Sequence, residues 1–150
     1  MLRLYLSWLV ATGWLFAAPL VFSADKPPAA AMSAGEYIYR ASGCYGCHTD
    51  EKGGGRPLAG GYALKTDFGV FYTPNITPDP ETGIGRWSEQ DFFRALREGR
   101  SPAGDHYYPS FPYPAYTKLT DDDLRALWVF LKSQPPVRRA NRPHELKFFE

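Results

Sequence analysis

An all-α fold with long ordered loops is what this sequence predicts, on three observations. Three separate helix starts can be read, each followed by apolar residues at helical spacing. No stretch alternates apolar and polar residues convincingly enough for a half-buried strand. Pro and Gly contribute 14 residues each to the 150-residue chain, which favours long loops over many regular elements.

The first helix opens at Ser33-Ala34-Gly35-Glu36, a capping box of the S-x-x-E kind. It is expected to run from about Ala34 through Tyr37 and Ile38 into the sequence CYGCH. Ser88-Glu89-Gln90-Asp91 starts the second, Phe92, Phe93 and Leu96 give it an apolar face, and Gly99 ends it. Thr120 opens the third, where Asp121, Asp122 and Asp123 complement the positive end of the helix dipole. Leu124, Leu127, Trp128 and Leu131 follow at i, i+3, i+4 and i+7, and Pro135-Pro136 forbids continuation. These stripes read as core, helix packed on helix.

Lys plus Arg number 17 and Asp plus Glu 16, so no charge imbalance points to nucleic acid. The N-terminus carries Arg3, then an uncharged run from Leu4 to Ala24 with small residues at Ser23 and Ala24. That is the layout of a secretory signal, and the run also has the roughly 20 residues needed to span a bilayer. The expected organisation is a signal peptide or membrane anchor over residues 1–24 and a Pro-rich linker over 25–32. A single domain with a C-terminal tail then fills 33–150. An exported chain is implied, in the periplasm or held at the inner membrane.

Both cysteines lie in Cys44-Tyr45-Gly46-Cys47-His48. A disulfide across a two-residue gap closes too small a loop to stabilise much. A thioredoxin-like pair wants a βαβ pattern, and a structural zinc wants two more ligands where only His106 and His144 remain. The reading that uses all three residues is covalent attachment of one haem c. The two thiols add to two vinyl groups and His48 reaches back to ligate the iron. A backbone carbonyl often accepts the proximal imidazole's Nδ1–H in such proteins, and Pro57 lies at a suitable distance for that role. A simple turn proline is the alternative for Pro57.

With these residues in view, the chain resembles monohaem class I c-type cytochromes, and more narrowly the cytochrome domains of periplasmic alcohol and gluconate-type dehydrogenases. GEYIYRASGCYGCHT resembles the attachment helix, and FYTPNITPDPETGIGRWSEQDFFRALREG resembles the long loop and following helix. YYPSFPYPAYTKLTDDDLRALWVFLKSQPPV resembles the distal loop and C-terminal helix, and RRANRPHELKFF the tail. The resemblance implies the class I cytochrome c fold, with Phe130 packed on the N-terminal helix. It also makes Tyr72, Asn75 and Trp87 neighbours of the haem propionates. Single electrons would pass from a dehydrogenase to a downstream cytochrome or oxidase, with no catalytic residues of the chain's own.

One departure stands out. Many relatives carry the sixth iron ligand as a Met in YPAMPY-like text, and this chain has Phe111 there. Its only methionines are Met1 and Met32. His106, five residues upstream, is the candidate replacement. His144, Tyr107, Tyr108, Tyr113 and Lys118 are further options. With no protein ligand, Phe111 would cap an open site, suiting gas binding, sensing or peroxidatic activity instead.

Overall fold

The computed structural model describes residues 32–147. The expected signal or anchor over 1–24 lies outside the described residues. Among those described, no helix is long and apolar enough to cross a membrane.

Among the described residues four α-helices form: α1 (Ala34–Ala41), α2 (Cys44–His48), α3 (Glu89–Glu98) and α4 (Asp121–Lys132). All three expected N-caps are in place. The Ser33 hydroxyl accepts from Glu36 N–H, while Ser88 with Asp91 and Thr120 with Asp123 close full capping boxes. One boundary differs from expectation. The first helix does not continue into the cysteines, because Gly43 takes the left-handed conformation (φ 69°) and breaks the path between α1 and α2. That break starts the attachment sequence on its own short turn.

The core lies between α1, α3 and α4. Leu124, Leu127, Trp128 and Leu131 are all buried, joined by Ile38, Leu58, Ile84 and Phe92. Each such side chain contributes about 1.5–3 kcal/mol relative to leaving it in water. The crossing of α1 over α4 is close because Gly35 carries no side chain. A Cβ there would collide with the Ala126 carbonyl oxygen. Beside it the Tyr39 and Phe130 rings pack with centroids 4.9 Å apart.

The all-α expectation needs correction. A three-stranded antiparallel sheet is present, in the order β1 (Ala63–Thr66), β2 (Gly69–Tyr72), β3 (Glu145–Leu146). A tight turn at Asp67-Phe68 brings Thr66 opposite Gly69. With four-residue and two-residue strands there was too little sequence for alternation to show. The third strand comes from the far end of the chain and pairs Val70 with Glu145.

That pairing is part of a longer attachment. The tail after α4 runs back across the loop 73–85, held mainly by side chains. Asn75 Nδ2 donates to Val137 O at 2.7 Å, Val137 N–H to Thr77 Oγ1 at 3.1 Å and Arg139 N–H to Thr82 Oγ1 at 3.0 Å. Asn75 is 2% exposed, so Asn75-Ile76-Thr77 is a structural sequence here and not an accessible glycosylation site.

Candidate cofactor-attachment site

The turn α2 carries Cys44, Cys47 and His48 on five consecutive residues. Both cysteines are free thiols, Cys44 partly covered and Cys47 exposed. Burial, with a smaller contribution from Cys47, pushes the Cys44 thiol up to about 11, so it is protonated at neutral pH. Among the described residues no group of three or more His, Cys, Asp or Glu side chains gathers to hold a bare metal ion.

His48 is held by one decisive bond, from Nδ1 to the Pro74 carbonyl oxygen at 2.8 Å. A carbonyl can only accept, so Nδ1 carries the hydrogen and the neutral ring keeps its lone pair on Nε2. Burial lowers the basicity of this imidazole, and the Pro74 bond opposes that effect only in part. The ring is therefore neutral, in the tautomer that leaves Nε2 free to bind a metal. The Gly60 N–H also donates to the His48 carbonyl at 2.8 Å, fixing the backbone beneath it.

The acceptor is Pro74 and not Pro57, contrary to the expectation from spacing. The chain after Pro57 turns at Leu58, which adopts φ 62°, and the loop 73–77 lies alongside instead. Ile76 N–H donates to Leu58 O at 2.9 Å and Gly61 N–H to Thr73 O at 2.8 Å, placing Pro74 next to the imidazole. Sequence distance hid this contact, since 26 residues separate the partners.

The distal-loop residues gather into an aromatic group. Phe111 packs against Tyr107 (centroids 5.7 Å), Tyr116 (5.9 Å) and Tyr113 (6.5 Å). Tyr116 links this group to the end of α1, just before the attachment turn, its hydroxyl donating to Ser42 O at 3.2 Å. Burial first, then the neighbouring Cys44 and Cys47, hold the Tyr116 phenol above its ordinary pKa. Burial likewise pushes Tyr107 up to about 12, so that phenol stays neutral. A cleft of about 660 Å³ runs between α1 and this loop, along Tyr37, Ile38, Ala41, Pro112 and Tyr116. None of Cys44, Cys47 or His48 lines it.

The two remaining histidines sit differently. His106 is exposed on the segment where its backbone bridges Arg100. His144 packs on Phe71 and Tyr108 at 5.3 and 5.4 Å. Its Nδ1 accepts the Tyr72 N–H at 3.1 Å. In the neutral ring that puts the hydrogen on Nε2, the reverse of His48, so neither nitrogen of His144 offers a lone pair. Tyr72 packs under Arg142 and donates to Glu145, and the Asn75 amide is bonded to the tail.

Two thiols and a neutral imidazole with free Nε2, on one turn, fit the donor set of a covalently bound haem. The family model for Cytochrome c matches residues 32–135. The chain belongs to the cytochrome c family. The family implies covalently bound haem c, and it makes this cytochrome an electron-transfer domain rather than a catalytic one. The chain is 48% identical over 120 residues to a nicotinate dehydrogenase subunit of Pseudomonas putida, an overlap of 80% of this chain and 10% of that protein. It is 48% identical over 119 residues to a diheme cytochrome c-type protein of Cereibacter sphaeroides, covering 77% of this chain and 40% of the other. The gluconate 2-dehydrogenase cytochrome c subunit of Pantoea cypripedii is 42% identical over 123 residues, 81% of this chain and 27% of that protein. The chain thus spans only a tenth to two fifths of the length of these relatives.

Proposed function

We propose that this cytochrome carries one haem c, bound through Cys44 and Cys47 with His48 as proximal iron ligand, and passes single electrons from an exported dehydrogenase to a downstream cytochrome or oxidase. The observation that carries the reading is the His48 Nδ1–H bond to Pro74 O on the same turn as both thiols. When bound, haem supplies a one-electron couple. The chain's own part is to fix the imidazole's tautomer and orientation and to pack aromatic side chains where water would otherwise enter. The dehydrogenase partner is supported by relatives that are cytochrome subunits of gluconate and alcohol dehydrogenases. Export to the periplasm, with residues 1–24 as signal or anchor, rests on the N-terminal composition.

His106 is the candidate for the sixth position, because His144 has its Nδ1 occupied by Tyr72 N–H. The packing of Phe111 among Tyr107, Tyr113 and Tyr116 favours a second reading, an open position closed by an apolar ring. Haem retained by the chain after acid-acetone extraction, and reduction of the ferric protein by a partner dehydrogenase, are the expected results. Haem lost on extraction would overturn the attachment, and no reduction by any such dehydrogenase would overturn the electron-carrier role. Carbon monoxide added to the reduced wild type and to His106→Ala separates the two distal readings. A Soret shift only in the variant assigns His106, and a shift in both assigns the open site.

A further inference from the structure

The peptide group between Pro74 and Asn75 is bonded at both ends. Its carbonyl accepts from His48 Nδ1–H at 2.8 Å, and its N–H donates to Asn141 Oδ1 at 2.7 Å. The orientation of the Asn141 amide is fixed by chemistry on both sides. The Asn75 N–H requires an oxygen, while the Thr82 carbonyl, 3.2 Å from Asn141 Nδ2, requires a nitrogen. A continuous chain therefore runs from Asn141 through one peptide unit to the imidazole, although 66 residues separate Asn75 from Asn141.

Hydrogen bonds in series polarise one another. Drawing the peptide N–H toward Asn141 moves electron density onto the Pro74 oxygen and makes it a stronger acceptor for His48 Nδ1–H. A stronger bond at Nδ1 makes Nε2 a better electron donor and favours the higher oxidation state of a bound metal. We propose that Asn141, in the C-terminal tail, is a positioning residue that tunes the reduction potential of the haem through the Pro74–Asn75 peptide. This rests on the haem reading above. It also gives the tail a task that its helix-breaking prolines do not suggest.

The size follows from two magnitudes. Losing a direct partner of a metal-bound histidine changes metal binding or activity by roughly one to two decades. A neighbouring bond in the chain supplies roughly 10–30% of such an interaction's strength. At the upper share, Asn141→Ala is expected to shift the ferrous-to-ferric ratio roughly twofold to fourfold toward ferrous. That is about 20–35 mV upward, at about 59 mV per decade for one electron.

The test is a spectroelectrochemical titration of the full holo-cytochrome, with haem content measured first. Asn141→Asp keeps the acceptor oxygen and strengthens it with charge, so its potential is expected to fall. Ala140→Asp puts the same charge one residue away on an exposed position and serves as the control for through-space effects. The expected outcome is wild type below Asn141→Ala, and Asn141→Asp below Ala140→Asp. A merely structural tail would move both Asn141 variants the same way relative to their controls, and that result overturns the proposal. So does a change below about 1.5-fold in Asn141→Ala with full haem content. Absence of covalent haem from the wild type would instead overturn the reading of the site, and this proposal with it.

Discussion

Replacing Gly35 with Ala tests the packing that brings α1 onto α4. The added Cβ would collide with the Ala126 carbonyl oxygen and stand 2.8 Å from Phe130 Cβ. The nearer obstacle is backbone and cannot rotate away, so the helices must part by roughly 1 Å before the contact becomes ordinary. A gap of that size forfeits about a quarter to a half of each dispersion contact along the crossing. The Ile38, Leu127 and Tyr39–Phe130 contacts all lie there. Overpacking of this kind typically costs about 1–3 kcal/mol, and a backbone obstacle belongs at the upper end. At about 4 °C per kcal/mol the expected drop in Tm is roughly 12 °C. Thermal unfolding of the holoprotein followed by circular dichroism measures it. Val129→Ala, on the exposed side of α4, serves as control and is expected to stay within about 0.5 kcal/mol of wild type. A drop under about 4 °C for Gly35→Ala would refute the reasoning, because the crossing would then have room that the distances deny.

Other perturbations follow from the same structure. Leu127, 1% exposed in the central cluster, is expected to cost about 3–4 kcal/mol when cut to Ala, read from the urea midpoint. Asp79 accepts from the Thr82 hydroxyl, Thr82 N–H and Glu81 N–H, and these bonds hold its carboxyl below the usual range. A depressed folded pKa means the unfolded chain binds the proton first. This stabilisation is therefore whole above about pH 4 and lost as pH falls further. Asp79→Asn should flatten the acid limb of stability against pH, and an unchanged slope would contradict that assignment. Phe111→Met restores a thioether where the family resemblance expects one. Its potential should rise and carbon monoxide should leave its Soret band unshifted, whereas an unchanged potential would place residue 111 away from the iron.

Helices were legible in the sequence because their signals are local. Ser33, Ser88 and Thr120 cap where their spacing to Glu36, Asp91 and Asp123 says they should. The Leu124–Leu131 stripe is buried as its period requires. That both cysteines and His48 share one turn was legible because they are adjacent in sequence. The sheet was not, since its strands are short and its third member pairs across some 75 residues of chain, as Val70 with Glu145 shows. The break at Gly43 was not read from the sequence, because a glycine ends a helix only when it takes the left-handed conformation seen here. In the loop 73–85 nothing local said which carbonyl would face His48, 26 residues from its partner.

The two imidazoles show why partners, more than residue types, decide which histidine can serve iron. His48 and His144 are both packed against protein, and composition alone treats them alike. At His48 a carbonyl takes the Nδ1 hydrogen and leaves Nε2 bare. At His144 a peptide N–H takes the Nδ1 lone pair and sends the hydrogen to Nε2. To ligate, His144 would have to give up the Tyr72 bond, pull its ring from between Phe71 and Tyr108, and detach the strand that begins at Glu145. Each loss costs about 1 kcal/mol or more. His106 lies outside the tail and the sheet and would break none of these contacts, so a distal histidine in this protein would come from the loop leading into Phe111. The tail is thereby left to its other task, holding the peptide that holds His48.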